Sequence, residues 1–327
     1  MTKLIVQSGG LFTTVQDAGR NGHYDIGMPP SGAMDQYSYA AANMLVGNPV
    51  GAAALEATYI GPELEFTDDR LVAVTGAAAP VMLNGEPVET WQTMAVGAGD
   101  VLKFSMITAG TRFYIAVSGG VDVSEYLGSR STYTLTGIGG LDGRKLTEGD
   151  RLPLGKTSEN GSPRPGAAVP EELRPALLPQ SEVRVVVGLC AYRLTDAALH
   201  SFLKTEWKVT KDADRIGYRL RGGTLDFVER EQPAGAGSDP ANVVDLGYPI
   251  GSIQVPGGDE PIVLLNDAVT GGGYATIATV VSADRDIFGQ AKTGDRVRFV
   301  SVDLETALAA RSQRRERLER LRATLTP

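Results

Sequence analysis

Short β-branched runs, each closed off by glycine, are what most narrows the folds open to this chain. Leu71-Val-Ala-Val-Thr-Gly-Ala, Arg112-Phe-Tyr-Ile-Ala-Val-Ser-Gly-Gly and Val183-Arg-Val-Val-Val-Gly all have this form. Branched Cβ atoms favour a pleated strand, and the glycine after them lets the backbone turn away. Val81-Met-Leu-Asn84-Gly85-Glu-Pro-Val reads as a hairpin, because Asn-Gly suits the two positive-φ positions of a type I′ turn. Forty glycines spread this pattern over 327 residues. Such a load of turns favours short strands over long helices. The expected class is mainly β with few helices.

Gly99-Asp-Val-Leu-Lys-Phe104, Gly149-Asp-Arg-Leu-Pro-Leu154 and Gly294-Asp-Arg-Val-Arg-Phe299 each set Gly-Asp before an alternating segment. The glycine can take a left-handed turn and the aspartate can accept a nearby backbone N–H. Leu64-Glu-Phe66 and Leu225-Asp-Phe227 precede the first and last of these, which suggests two similar β-rich modules although the spacings differ. A chain this long exceeds one ordinary core. The reading is a first β domain over 1–155, a Pro/Gly/Ser-rich linker over 156–180, a second β domain over 181–302 and a helical tail over 303–327. Helices are expected at Ser38 to Leu45, at Thr195 to Trp207 and from Leu304 onward. In the tail, Leu304, Leu308, Leu318, Leu321 and Leu325 share one face, opposite a set of arginines, for docking on this chain or a partner.

A net charge of −8 leaves no broad basic surface for nucleic acid. Cys190 is the single cysteine, which excludes an internal disulfide and fits a reducing compartment. His23 and His200 are the only histidines, too few for a zinc site. The first residues lack the apolar core of a signal peptide, and no apolar run approaches membrane-spanning length. The expectation is a soluble, cytoplasmic protein with no metal site.

Several motifs fail on spacing or context. Gly149 to Gly155-Lys156-Thr157 has five residues between the glycines, where a phosphate loop has four, and Ser158-Glu-Asn-Gly-Ser-Pro cannot open the helix such a loop needs. Asn160-Gly-Ser has the form of a glycosylation acceptor but lacks a secretion signal. Gly137-Ile-Gly-Gly-Leu-Asp-Gly143 misses the dinucleotide spacing. Its consecutive glycines either bare N–H groups for an anion or simply build a turn, with Arg130, Ser131, Tyr133 and Arg144 flanking it. Two denser polar constellations remain. One runs Thr13-Thr-Val-Gln16-Asp17-Ala-Gly-Arg20, Ser31-Gly-Ala-Met-Asp35 and Asn43 to Asn48; the other runs Ser252-Ile-Gln254-Val-Pro256 and Asn266-Asp267-Ala-Val-Thr270-Gly-Gly272-Gly273-Tyr274. Polar groups on glycine-hinged backbone serve either function or stubborn loops.

Those stretches, in that order, resemble the KipA-type carboxyltransferase-domain family, which includes the C subunit of 5-oxoprolinase and allophanate hydrolase subunit 2-like proteins. Leu55-Glu-Ala-Thr, Ser129-Arg-Ser-Thr-Tyr133, Gly139-Gly140, Gly143-Arg144, Asp214-Arg-Ile-Gly-Tyr-Arg-Leu220 and Ile253-Gln-Val-Pro256 extend the resemblance over residues 3 to 300. It implies two cyclophilin-like β-barrel domains, to which the tail pattern adds a C-terminal helix, and a KipI-type partner, with a LamB-type subunit in some assemblies. The sequence departs from the family pattern at Val269 and Gly271, where Gln-Thr-Thr-Gly is usual, and at Leu189-Cys190, where Pro-Gln or Pro-His follows the glycine.

The resemblance implies one of two reactions. Either a small cyclic amide such as 5-oxoproline is opened with ATP, which a partner subunit could bind, or carboxybiotin on a separate carrier donates its carboxyl group to a urea-like nitrogen. A non-enzymatic regulator of a KipI-type kinase inhibitor is the third reading. The absence of a Met-Lys-Met biotin segment favours the first. Amide chemistry needs a base and oriented donors for an oxygen gaining charge. Asp267 and Asp17 are the candidates for proton transfer, or else turn caps. Arg130, Arg144, Gly139 and Gly140 are the candidates for binding a carboxylate or oxyanion. Gln254 and Tyr274 would orient substrate, with Gln16, Arg20, Ser31, Asp35, Ser131, Tyr133, Thr270, Gly272 and Gly273 completing the candidate binding set.

Overall fold

A strand that alternates apolar and polar residues must lay one face on a core, and this chain supplies two such cores. The computed structural model describes residues 3–157 and 165–325. The described residues divide between two units, one within Met1–Arg20, Ser31–Leu177 and Glu316–Pro327, the other within Asn21–Pro30 and Leu178–Arg315.

The first unit begins with β1 (Lys3–Ser8), β2 (Phe12–Gln16) and α1 (Gln36–Leu45). Then come β3 (Ala54–Thr58), β4 (Glu63–Phe66), β5 (Arg70–Ala78), β6 (Val81–Leu83) and β7 (Glu86–Val88). It ends with β8 (Thr93–Val96), β9 (Val101–Phe104), β10 (Ala109–Val117) and β11 (Arg151–Pro153). The strands form a six-stranded sheet, β11-β1-β4-β9-β6-β7, and a five-stranded sheet, β2-β3-β10-β5-β8. Leu4, Val6, Leu64, Phe66 and Leu102 of one sheet share a buried cluster with Val15, Leu55, Val74, Phe113 and Ile115 of the other. The opposite face of the five-stranded sheet, through Ala73, Tyr114 and Ala116, carries α1.

The second unit contains β12 (Gln180–Val187), α2 (Asp196–Lys204), β13 (Trp207–Ala213) and β14 (Gly217–Arg221). It continues with β15 (Asn242–Gly247), β16 (Ser252–Gln254), β17 (Ile262–Leu264), β18 (Gly271–Tyr274) and β19 (Thr276–Val280). Then come α3 (Arg285–Gln290), β20 (Arg296–Ser301) and the start of α4 (Leu304–Leu325). Seven strands close a barrel, β12-β19-β16-β17-β14-β13-β20, sealed by the parallel β12–β20 pair. Closure removes the exposed edges that a flat sheet would leave. Strands β15 and β18 form a separate antiparallel pair. The fold is thus mainly β with few helices, as its sequence pattern implies, and among the described residues no helix is long and apolar enough to cross a membrane.

The turn chemistry is as expected. Asn84 (φ 53°) and Gly85 (φ 86°) are the two central residues of the β6–β7 hairpin. Gly99, Gly149 and Gly294 all have positive φ. The aspartate after each accepts the N–H three residues before it: Gly97 to Asp100 at 2.7 Å, Thr147 to Asp150 at 2.8 Å and Lys292 to Asp295 at 3.0 Å.

Four expectations need correction. The boundary at 155 shifts because residues 165–177 are stitched to the first unit. Thr93 N–H donates to Ala167, Val169 N–H donates to Trp91, and Val169 and Leu173 are buried. The part of the expected linker over 158–164, with Asn160-Gly-Ser, lies outside the described residues. Residues 21–30 belong to the second unit although strand pattern alone assigns them to the first. Leu225-Asp-Phe227 does not form a strand like Leu64-Glu-Phe66; Phe227 makes only an isolated bridge with Leu194. The α4 leucines do not share one fate: Leu304 and Leu308 are exposed, whereas Leu321 and Leu325 are buried in the first unit's α1-side cluster. Nor are its arginines all solvated, since Arg314 pairs with Asp286 at 2.6 Å and Arg317 lies 4.4 Å over the Tyr37 ring.

Candidate functional site

In the first unit, β2 delivers Gln16 and Asp17 to a buried junction with residues 129–132. The Asp17 carboxylate accepts Gly19 N–H at 2.8 Å, Ser129 Oγ–H at 2.7 Å, Ser131 Oγ–H at 2.5 Å and Arg130 N–H at 2.6 Å. Asp17 N–H donates back to Ser131 Oγ at 2.9 Å. Gln16 donates to Thr14 Oγ1 at 3.0 Å and to the Thr132 carbonyl at 3.1 Å, and accepts Gly32 N–H at 3.1 Å. Arg20, buried beside them, donates to the Ser131 carbonyl. Ser31 sits at φ 54°, turning the chain into Gly32, where an added Cβ would lie 2.8 Å from the Gly19 nitrogen. One polar knot therefore joins Gln16, Asp17, Arg20 and Ser131, with Ser31 set beside it by the turn into Gly32.

Gly139 and Gly140 pack on this knot because only glycine fits. A Cβ at Gly139 would lie 2.1 Å from the Ser131 oxygen, and one at Gly140 would lie 2.0 Å from Thr132 Oγ1. Gly140 N–H is already used by the Arg130 carbonyl at 3.0 Å, and Tyr133 and Ile138 exchange backbone bonds to close the intervening loop. Asp35 caps α1, accepting Ser38 N–H at 2.9 Å and Ser38 Oγ–H at 2.6 Å. The guanidinium groups of Arg130 and Arg144 are not drawn in. Arg130 reaches Val123, Asp122 and Glu125, and Arg144 makes a two-point pair with Asp150 at 2.7 and 2.8 Å. That hydrogen bonding raises the Arg144 pKa and lowers that of Asp150. Beneath the Asp35 cap lies a buried pair missed at the sequence level: Tyr114 Oη–H donates to Glu56 at 2.8 Å and accepts Asp35 N–H at 2.7 Å. Burial, then the Glu56 charge, pushes the Tyr114 hydroxyl far above its usual range.

In the second unit, Asp267 is buried and held by Arg215, with Nε to Oδ2 at 2.7 Å and Nη2 to Oδ1 at 3.1 Å. Asp267 N–H also donates to the Arg215 carbonyl at 2.9 Å. This clamp carries the turn from Asn266 into β18. Tyr248, absent from the sequence-level candidates, organises the end of that turn and the strand after it. Its hydroxyl accepts Tyr274 N–H at 2.7 Å and donates to the Tyr274 carbonyl at 2.8 Å, and its own N–H donates to the Thr270 carbonyl at 2.8 Å. Gln254 hydrogen-bonds the same hydroxyl, whose pKa burial pushes up. A Cβ on Gly272 would come within 3.1 Å of the Tyr248 ring, so glycine there lets the tyrosine lie flat. Gln254, Thr270, Gly272 and Tyr274 thus all gather around Tyr248; Gly273 faces the Val243 carbonyl instead. No local pattern singled out Tyr248; Asp214-Arg-Ile-Gly-Tyr, one of the stretches that carry the family resemblance, was the signal for Arg215. Of the departures from the family pattern, Val269 and Leu189 are exposed, Leu189 at φ 53°, while Cys190 is buried.

Beside this network the second unit has an open cleft of about 880 Å³, lined by Asn21, Tyr24, Asp25, Tyr248, Thr270 and Arg285 among others. Residues 27 and 270 meet there: a Cβ on Gly27 would lie 3.9 Å from Thr270 Oγ1.

Residues 26–301 match the family model described as "Carboxyltransferase domain, subdomain A and B". The chain belongs to the carboxyltransferase-domain family. It is 36% identical over 321 residues to the C subunit of 5-oxoprolinase from Escherichia coli (strain K12), covering 98% of this chain and 97% of that protein. It is also 38% identical over 312 residues to urea amidolyase of Lachancea kluyveri, covering 92% of this chain but only 17% of that one. The crystal structure of Kluyveromyces lactis urea carboxylase superposes with a TM-score of 0.92 at 33% identity, over 99% of this chain and 30% of that chain. This carboxyltransferase-domain chain therefore spans a small part of the urea-processing relatives and nearly the whole of one component of a multi-subunit enzyme. Its relatives are enzymes or enzyme subunits.

Proposed function

We propose that this carboxyltransferase-domain chain is a subunit of a heteromeric amide-processing enzyme that opens 5-oxoproline, or a similar small lactam, at the expense of ATP. A KipI-type subunit, and a LamB-type subunit where present, would complete the assembly in the cytoplasm. The observation that carries this reading is the 36% identity to the C subunit of E. coli 5-oxoprolinase over 97% of that protein. In the net reaction the ring C–N bond breaks, and one water supplies the carbonyl carbon with hydroxyl and the nitrogen with hydrogen. A second water is consumed as ATP becomes ADP and phosphate.

ATP does not fit the Gly149–Thr157 segment. Arg151–Pro153 is a strand, and Gly155 N–H donates to the Gly120 carbonyl rather than facing open space. ATP is accordingly assigned to a partner subunit, where its phosphoryl chemistry would drive the ring opening. The lactam would occupy the cleft of the second unit, with Thr270, Gln254 and Tyr274 held in place by Tyr248. Asp267 and Asp17 act in this reading as positioning residues. Each carboxylate is committed to donors of the fold, Asp267 to the Arg215 guanidinium and Asp17 to Gly19, Ser129, Arg130 and Ser131. Asp267 fixes the Asn266–Tyr274 turn through Arg215, and Asp17 fixes the glycine pair 139–140 through Arg130, whose N–H it accepts and whose carbonyl accepts Gly140 N–H.

A second reading, carboxyl transfer from carboxybiotin on a separate carrier to a urea-like amide, is favoured by the TM-score of 0.92 against urea carboxylase. The amide of Asn21 and the hydroxyls of Thr270 and Ser282 in the same cleft suit a ureido ring. The test is turnover by the chain co-purified with its KipI-type and LamB-type neighbours, supplied with 5-oxoproline and ATP and assayed for glutamate and phosphate. Glutamate that falls with Tyr248→Phe supports the lactam reaction and its site. Carboxyl uptake from carboxybiotin without glutamate moves the function to carboxyl transfer. Neither activity from an intact complex leaves the regulatory role.

A further inference from the structure

Most of the buried or half-buried arginines of the second unit sit on a carboxylate. Arg184 holds Asp284, Arg215 holds Asp267 and Arg314 holds Asp286. Arg285 differs. It is half-buried in the wall of the cleft, at the start of α3, and among the described residues its guanidinium has no hydrogen bond or ion pair to protein. Its chain neighbour Asp286 is engaged by Arg314 at 3.1 and 2.6 Å. Burial, with the Arg314 charge adding to it and Asp286 and Tyr24 opposing, pulls the Arg285 pKa below its usual value, yet a guanidinium stays charged at any working pH. A charge withdrawn from water without a hydrogen-bonding partner is expensive, and an anion binding to it offsets that cost.

The groups around Arg285 suit such a visitor. The Tyr24 hydroxyl hydrogen-bonds the Ile250 backbone in the sense that lowers a phenol's pKa, so it is accepting there and its own proton is left to donate. Thr270 and Ser282 add hydroxyls to the same lining. Asp25 is the acidic residue of the lining, and it is not among the charges acting on Arg285.

We infer that Arg285 and Tyr24 form a subsite for the carboxylate of a small amide acid. This rests on the cleft of the second unit being the substrate site, and it makes a distinction that identity percentages leave open. 5-Oxoproline carries such a carboxylate on its lactam ring; urea carries none. The subsite holds the acid group while the Tyr248 network faces the amide.

The experiment is calorimetric titration of the full chain, with whatever subunits co-purify, using three probes: 5-oxoproline, 2-pyrrolidinone (the same ring without the acid) and the linear amide acid N-carbamoylglycine. Arg285→Gln is expected to weaken 5-oxoproline at least about ten-fold, the weight of a charge-assisted bond, with 2-pyrrolidinone unchanged. Arg285→Lys should recover part of the loss, which also shows that the variant folds. Equal weakening of both ring probes, or no weakening of either, overturns the subsite. So does a failure of every carboxylate probe to bind. Arg285-dependent binding of N-carbamoylglycine without 5-oxoproline binding keeps the subsite and sinks the 5-oxoproline reading. Turnover of 5-oxoproline with KM unchanged in Arg285→Gln does the reverse.

Discussion

Replacing Asp267 by alanine tests whether the Arg215 clamp is the mechanical anchor of the second unit's network. Both side chains are nearly sealed from solvent, at 4% for Asp267 and 8% for Arg215, and they meet at two points. Removing one partner of a buried pair strands the other charge, which costs about 3–5 kcal/mol. Arg215 has further interactions in the fold, so the lower figure, about 3 kcal/mol, is expected. With a urea m-value of about 2 kcal/mol/M for a domain of this size, the midpoint should fall by about 1.5 M. The assay can be confined to one unit because the chain has two tryptophans, Trp91 in the first and Trp207, fully buried, in the second. In a Trp91→Phe background, Trp207 fluorescence reports the barrel alone, which avoids treating two units as one transition. The paired change Asp267→Leu with Arg215→Met should recover most of the loss, since an apolar pair needs no desolvated charge. A midpoint shift under about 0.5 M would refute the reasoning, because it would mean that the pair is solvated or the turn is held by other contacts.

Three more outcomes are set by the geometry. Gly139→Ala should cost well over 2 kcal/mol by urea unfolding, since backbone strain adds to a Cβ placed 2.1 Å from the Ser131 oxygen; Gly137→Ala, at the same φ of 69° but with open space, should cost only about 1. The Arg144 bond that lowers the Asp150 pKa below its ordinary 3.8 should stabilise the native state fully above pH 3.8 and be lost as pH falls through the lowered native value. The stability gap between the parent and Asp150→Asn, followed by circular dichroism melts from pH 5 to 2, should therefore close only at the acid end. Leu321→Ala should cost about 2–4 kcal/mol and Leu308→Ala under about 0.5, read as shifts in thermal midpoint, because only Leu321 is enclosed by the α1-side cluster.

The polar knot of the first unit was legible in the sequence because its parts are local. Asp17, Ser131 and Gly139 stand in motifs whose backbone demands, positive φ and short polar side chains, are written in neighbouring residues. Tyr248 was invisible for the opposite reason. It lies in a plain strand-to-turn segment, and its importance comes from Tyr274, which only the pairing of β15 with β18 brings close. Arg285 carries no local sequence signal, since nothing near it says that Asp286 will turn to Arg314 instead.

Periodicity and turn chemistry settled the strands, the Asn84-Gly85 hairpin and the three Gly-Asp turns, because each depends on bonds within a few residues. Family membership was equally legible, as ordered motifs survive without any packing. Which unit a segment joins was decided elsewhere. Residues 21–30 left the first unit, residues 165–177 stayed with it, and α4 buried Leu321 while exposing Leu308. Those outcomes turn on which apolar surface remains uncovered once the sheets have formed. Burial energy is a property of the assembled surfaces, and no stretch of chain contains it alone.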